Sequence, residues 1–299
     1  MQHQCLQCPR KCGIDRSTGE LGYCGVPWDF RVARASLHQW EEPPISGTRG
    51  SGTVFFSGCN LRCVFCQNRE ISHETPGKTI DADGLTDVML RLRDAGAHNI
   101  NLVTPTPYAW QLAEVLERIK PTLGIPVVYN CGGYESVDTL RRLDGLVDIY
   151  LPDFKYYDGE CASRYSGAAD YHAVATDTLA EMLRQTGEPT FDADGLMKRG
   201  TIVRHLVLPG NRRDSICLLR DLSQRFGVDA FLLSLMSQYT PQFAKACSFS
   251  ELHRPVTTFE YNAVRDEAER LGFEGYFQSR SSATADYTPD FRDGDFLNC

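Results

Sequence analysis

The 299-residue sequence lacks any apolar run approaching the roughly 20 residues needed to cross a bilayer, so a membrane span is not expected. It is also short of positive charge, with 31 Lys and Arg against 39 Asp and Glu and a net charge of −8. Basic runs stop at pairs such as Arg212-Arg213. Phosphate binding draws on clustered cations, so nucleic acid is excluded as the main partner. The start of the chain, Met1-Gln2-His3-Gln4-Cys5, lacks the charged and then apolar pattern of a secretory leader, and the protein reads as cytoplasmic.

Cysteine, in contrast, is plentiful at 12 residues. A chain of this length can bury a core that needs no disulfides, and a reducing compartment disfavours them. Clustered cysteines are then metal ligands or catalytic thiols. Cys5, Cys8, Cys12 and Cys24 form one cluster and Cys59, Cys63 and Cys66 another; the remaining five are single.

From Thr53 onward, short β-branched and aromatic runs alternate with helical stripes. The strand-like runs are Thr53–Phe56, Ile100–Val103, Val127–Tyr129, Val147–Leu151, Ile202–Leu208 and Phe231–Met236. Between them apolar residues recur at helical spacing, as in Leu85, Val88, Met89 and Leu92, or Leu112, Val115, Leu116 and Ile119. Six βα units predict an α/β fold with a parallel sheet, either doubly wound or a partial (β/α)6 TIM-like barrel. In both, ligands bind at the carboxyl ends of the strands. Residues 1–46 read as a small Cys-rich metal-binding appendage, 47–245 as the βα domain, and 246–299 as a helix around Tyr261–Leu271 with a tail that covers it. Turn formers and aromatics in Tyr287-Thr288-Pro289-Asp290-Phe291 suit such a cover.

Directly after the first of these strands comes Gly58-Cys59-Asn60-Leu61-Arg62-Cys63-Val64-Phe65-Cys66. Three thiolates spaced C-x3-C-x2-C can each hold one iron of a [4Fe–4S] cube, leaving the fourth iron open to a chelating substrate. A structural zinc would want four ligands and usually two C-x-x-C knuckles.

The spacing, placed after the first strand of six βα units, resembles the radical S-adenosylmethionine (SAM) superfamily. The resemblance implies a partial barrel, a cluster on Cys59, Cys63 and Cys66, and reductive cleavage of SAM to a 5′-deoxyadenosyl radical that abstracts hydrogen. It places Phe65 against the adenine. Val147–Lys155, Ile202–Gly210 and Asn130–Gly133 look like the branch of the pyruvate formate-lyase activating enzyme, and the segment from Cys5 to Gly13 looks like a group of homologues of that activator. That branch implies Asp153 and Lys155 at the SAM site, a glycyl-type protein or peptide substrate, and a reductant such as flavodoxin or ferredoxin. Two positions depart from it. Thr104-Pro105-Thr106-Pro107 stands where the superfamily commonly has G-G-E, so Thr104 or Thr106 would meet SAM through a hydroxyl without the charge. Asn130-Cys131 stands where the activators have Asp-Thr, and Cys131 is open to contacting SAM, acting on substrate or simply packing.

Arg204, inside an apolar strand, needs an anionic partner, either a carboxylate of SAM or substrate or an acidic neighbour. Cys5, Cys8, Cys12 and Cys24 lie in a segment too short for its own core, where a metal would supply folding energy. Zinc and a second [4Fe–4S] cluster both suit four thiolates. Two other readings stand beside the activase: the same radical chemistry on a small metabolite, and a non-catalytic iron–sulfur electron carrier, against which the ionisable rim residues argue.

Overall fold

A computed structural model describes residues 4–278 and Phe291. Its strands are β1 (Phe30–His38), β2 (Ser51–Phe56), β3 (Lys78–Ile80), β4 (Ile100–Val103), β5 (Val127–Cys131), β6 (Ile149–Pro152), β7 (Thr190–Phe191), β8 (Met197–Leu206), β9 (Leu232–Met236) and β10 (Gly275–Phe277). Its helices are α1 (Pro43–Ser46), α2 (Ala82–Asp94), α3 (Ala109–Leu123), α4 (Val137–Arg141), α5 (Gly159–Ser166), α6 (Tyr171–Thr186), α7 (Arg212–Phe226) and α8 (Thr258–Leu271).

The sheet order is β10-β9-β8-β6-β5-β4-β2-β1-β3, with β7 paired to β8. The strands from β2 to β9 on this path are parallel and lie in chain order. A doubly wound sheet would reverse direction at a switch point; this one does not, and the fold is a partial (β/α)6 barrel. The six expected strands are the six of the barrel. β10 extends it in parallel on one edge, and β1 pairs antiparallel with β2 on the other. Residues 30–38, read from the sequence as part of the Cys-rich appendage, are therefore a strand of the main sheet. Their alternation was masked because Val32, Ala33 and Ala35 are all buried.

Strand parity organises the interior. Val54, Leu102, Tyr129 and Tyr150 point outward and pack with Leu85, Met89, Leu112 and Leu116 of α2 and α3. Val128, Ile149, Leu151 and Ile202 point inward, and Ile45 of α1 packs on them. That apolar plug seals the end where the strands begin. The opposite end stays open, and the strand-end loops gather there. Thr257 and Glu260 form a capping box that starts α8. No helix among the described residues is long and apolar enough to cross a membrane.

Candidate active site

A cavity of about 190 Å³ occupies the open end, with Cys63, Phe65, Cys66, Asn130, Asp153, Lys155 and Arg204 on its wall. The inward parity of β5, β6 and β8 delivers Asn130, Asp153 and Arg204. The cysteine loop after β2 is pinned over them: Val64 N–H donates to Tyr165 O at 2.9 Å, and Asn60 Nδ2 donates to Tyr134 O at 2.6 Å.

Each thiol of the loop receives a hydrogen bond. Leu61 N–H donates to Cys59 Sγ at 3.4 Å, Ser166 Oγ to Cys63 Sγ at 2.9 Å and Ser72 Oγ to Cys66 Sγ at 3.4 Å. Burial, then the charge of neighbouring Cys63, pushes the Cys59 thiol up to about 12 and the Cys66 thiol up to about 11. Cys59 and Cys66, held out of water in this way, become thiolates only around a cation. With donors already aimed at the sulfurs, the set fits a [4Fe–4S] cluster with one iron left open.

Beneath the thiols lies an ion network. Lys155 Nζ bonds Asp153 Oδ2 at 2.5 Å, Arg204 Nε bonds Asp153 Oδ1 at 3.0 Å, and Arg204 Nη1 reaches Glu41 Oε2 at 3.4 Å. Arg204 Nη2 also donates to Asn130 Oδ1 at 2.8 Å. Burial alone would raise Asp153, but Lys155 and Arg204 outweigh it and hold the carboxyl below its ordinary value. Burial raises Glu41 despite Arg204. Of the two partners foreseen for Arg204, the structure shows acidic neighbours. Two buried polar atoms on the cavity wall, Gln67 Nε2 and Thr240 Oγ1, have no hydrogen-bond partner among the described residues. Unsatisfied donors of that kind suit a polar ligand such as SAM.

Three expected SAM contacts are not on the cavity wall. Thr106 is buried and its hydroxyl donates to Glu135 Oε1 at 2.6 Å. Thr104 follows β4 with φ of +57°, a left-handed conformation that glycine adopts without strain, and its N–H is bonded to Asn130 O. Cys131 has the outward parity of β5 and packs with Tyr129 and Tyr150. Sequence reading missed His38, Trp40 and Glu41, which reach the cavity from the end of β1. The only local signal was an acidic pair, Glu41-Glu42, set before Pro43-Pro44.

Residues 53–214 match the radical SAM superfamily. With that match over more than half its length, a barrel of this kind and a thiol loop above it, the chain belongs to the radical SAM superfamily. An uncharacterized protein of Methanocaldococcus jannaschii is 29% identical over 279 residues, 90% of this chain and 75% of its own. Among solved structures, Streptococcus suis SuiB bound to precursor peptide SuiA aligns at a TM-score of 0.49 and 12% identity, covering 74% of this chain and 46% of that one. The FeFe-hydrogenase maturase HydG from Carboxydothermus hydrogenoformans aligns at 0.45 and 14% identity, covering 78% and 58%. The chain thus spans about half the length of these solved structures.

Proposed function

We propose that the protein is an activase-like enzyme of the pyruvate formate-lyase activating type, which removes a hydrogen atom from a glycyl-type position of a protein or peptide. When bound, a [4Fe–4S] cluster and SAM supply a 5′-deoxyadenosyl radical through one-electron cleavage. Cys59, Cys63 and Cys66 would hold the cluster; Phe65, Asn130, Asp153 and Lys155 would hold SAM. Arg204 holds Asp153 and Glu41 in place and, with Lys155, keeps Asp153 ionised. The observation that carries the radical chemistry is that the thiol loop and the Asp153–Lys155 pair face one cavity. For a macromolecular substrate the support is Trp40, which lines that cavity and is 62% exposed; a large aromatic at a cavity mouth is a common anchor for a partner chain. In this reading the protein works in the cytoplasm with a reductant of the flavodoxin or ferredoxin class.

One observation favours the second reading, a small metabolite. Phe291 returns from the tail to pack edge-on against Phe55 of the cavity wall, 5.4 Å between rings, as a cover would. The other tail residues singled out, 287–290, lie outside the described residues.

Incubating reduced, reconstituted protein with SAM is expected to release 5′-deoxyadenosine, and Cys63→Ala to abolish it. Equal product from both sinks the enzyme reading. Deuterium transfer into 5′-deoxyadenosine from labelled peptides, and none from labelled metabolites, separates the first reading from the second.

A further inference from the structure

The activity proposed above asks nothing of the N-terminal thiols, yet the fold brings all four to one place. Cys5, Cys8, Cys12 and Cys24 line a single small pocket together with Arg10, Arg16 and Asn60. Little else orders this segment. Between Gln4 and Asp29 the only helical element is a three-residue turn at Arg16–Thr18, and the backbone is tied by a few bonds such as Cys5 N–H to Ile14 O at 2.8 Å and Lys11 N–H to Cys8 O at 3.0 Å.

An independent observation concerns charge. Arg16 is 1% exposed, one of the largest fully buried side chains of the protein. Its guanidinium donates to three backbone carbonyls, those of Val26, Pro107 and Pro27, and among the described residues none of its partners is a carboxylate. Arg10, half-buried, has partners of the same kind: it donates to the carbonyls of Asn60, Gly167 and Ser166 and lies 4.0 Å over the Tyr23 ring. Carbonyls satisfy the N–H groups but not the charge, and a buried cation without a counter-anion costs several kcal/mol. Neutral thiols do not offset it. Four thiolates around a metal do, because both a zinc ion and an oxidised [4Fe–4S] cube become dianionic when held by four cysteines.

We infer that Cys5, Cys8, Cys12 and Cys24 form a second, four-thiolate metal centre, with Arg10 and Arg16 as its counter-cations. Loading displaces the four thiol protons to solvent. Among the described residues no three His, Cys, Asp or Glu side chains already stand at the separation that clasps one ion, so a zinc ion would draw the thiols closer together. The centre would fasten the N-terminal segment onto the radical-cluster loop, since Arg10 Nε holds Asn60 O at 2.8 Å and Tyr23 Oη holds Leu61 O at 3.4 Å.

The test is metal and sulfide analysis of the full chain after anaerobic reconstitution with iron and sulfide, and separately after loading with Zn²⁺. The Cys59→Ala, Cys63→Ala, Cys66→Ala triple variant is expected to retain either roughly four irons with matching sulfide or about one zinc per chain. These two outcomes assign the metal. A folded triple variant that retains neither overturns the inference while leaving the radical chemistry of the parent untouched. If the triple variant does not fold, the parent is compared with Cys8→Ser, Cys12→Ser; equal metal content in the two overturns it. Against a competing chelator, Arg16→Met is expected to weaken metal retention about 10- to 100-fold, and Arg16→Lys to recover most of it. Unchanged retention in Arg16→Met overturns the role given to the arginine.

Discussion

Arg204 and Lys155 bracket one carboxylate, and their neighbours give them different jobs. Arg204 balances both Asp153 and Glu41, whereas Lys155 forms an ion pair only with Asp153 among the described residues and faces the thiols. Arg204→Met leaves Glu41 buried without its cation, a change that costs about 3–5 kcal/mol. Urea unfolding is expected to show that loss. Lys155→Met leaves Asp153 paired with Arg204, so stability falls less. A charge-assisted hydrogen bond is worth about 1.5–3 kcal/mol, so equilibrium dialysis is expected to show SAM binding weakened about 10- to 100-fold. Arg204 was legible in the sequence because a charge inside an apolar strand is anomalous, and Asp153 and Lys155 through the resemblance of their strand end to the activating enzymes. Glu41 was not, because its position depends on a loop folding back beneath the barrel.

At the scale of elements, the close approach of β5, β6 and the cysteine loop rests on two glycines. A Cβ at Gly132 would come within 2.9 Å of Leu61 Cδ1, and one at Gly133, where φ is +77°, within 2.2 Å of Asp153 O. Gly133→Ala therefore pushes on the strand end that carries Asp153 and Lys155. It is expected to cost more than about 1 kcal/mol of stability and to weaken SAM binding while bound iron stays unchanged, read by urea unfolding, dialysis and iron assay. The fate of Cys131 belongs to this scale too. Both faces of a parallel strand are apolar, so alternation does not say which face lines the barrel. Closure of the sheet turned Asn130 in and Cys131 out.

For the molecule as a whole, two buried titratable groups on the outer layers set opposing pH dependences. His205, bonded to Phe154 O at 2.7 Å and Ser215 Oγ at 2.8 Å, is held neutral by burial, its pKa lowered to about 4 from 6.5. Unfolding lets it take up a proton, so its contribution is complete above pH 6.5 and is lost as pH falls through 4. Glu135 is raised by burial to about 7 from 4.5. Its contribution is complete below pH 4.5 and is lost as pH rises through 7. The parent's thermal unfolding midpoint is thus flattened between these limits. His205→Gln is expected to lose less stability on the acid side and Glu135→Gln less on the neutral side; parallel profiles for all three proteins would contradict both assignments.

The sequence alone determined what is local: six βα units, and a nine-residue loop whose thiol spacing suits an iron–sulfur cluster before any fold is known. Tertiary structure decided what depends on closure. Crossover helices permit either a doubly wound sheet or a barrel, and only the consecutive pairing of β2, β4, β5, β6, β8 and β9 selects the barrel. The same closure chose which strand face is interior, brought Glu41 under Arg204, and set two carboxylate-free arginines beside four thiols. Spacing within one loop is governed by covalent geometry, whereas the compensation of a buried charge is governed by residues far apart in the chain, and only packing brings them together.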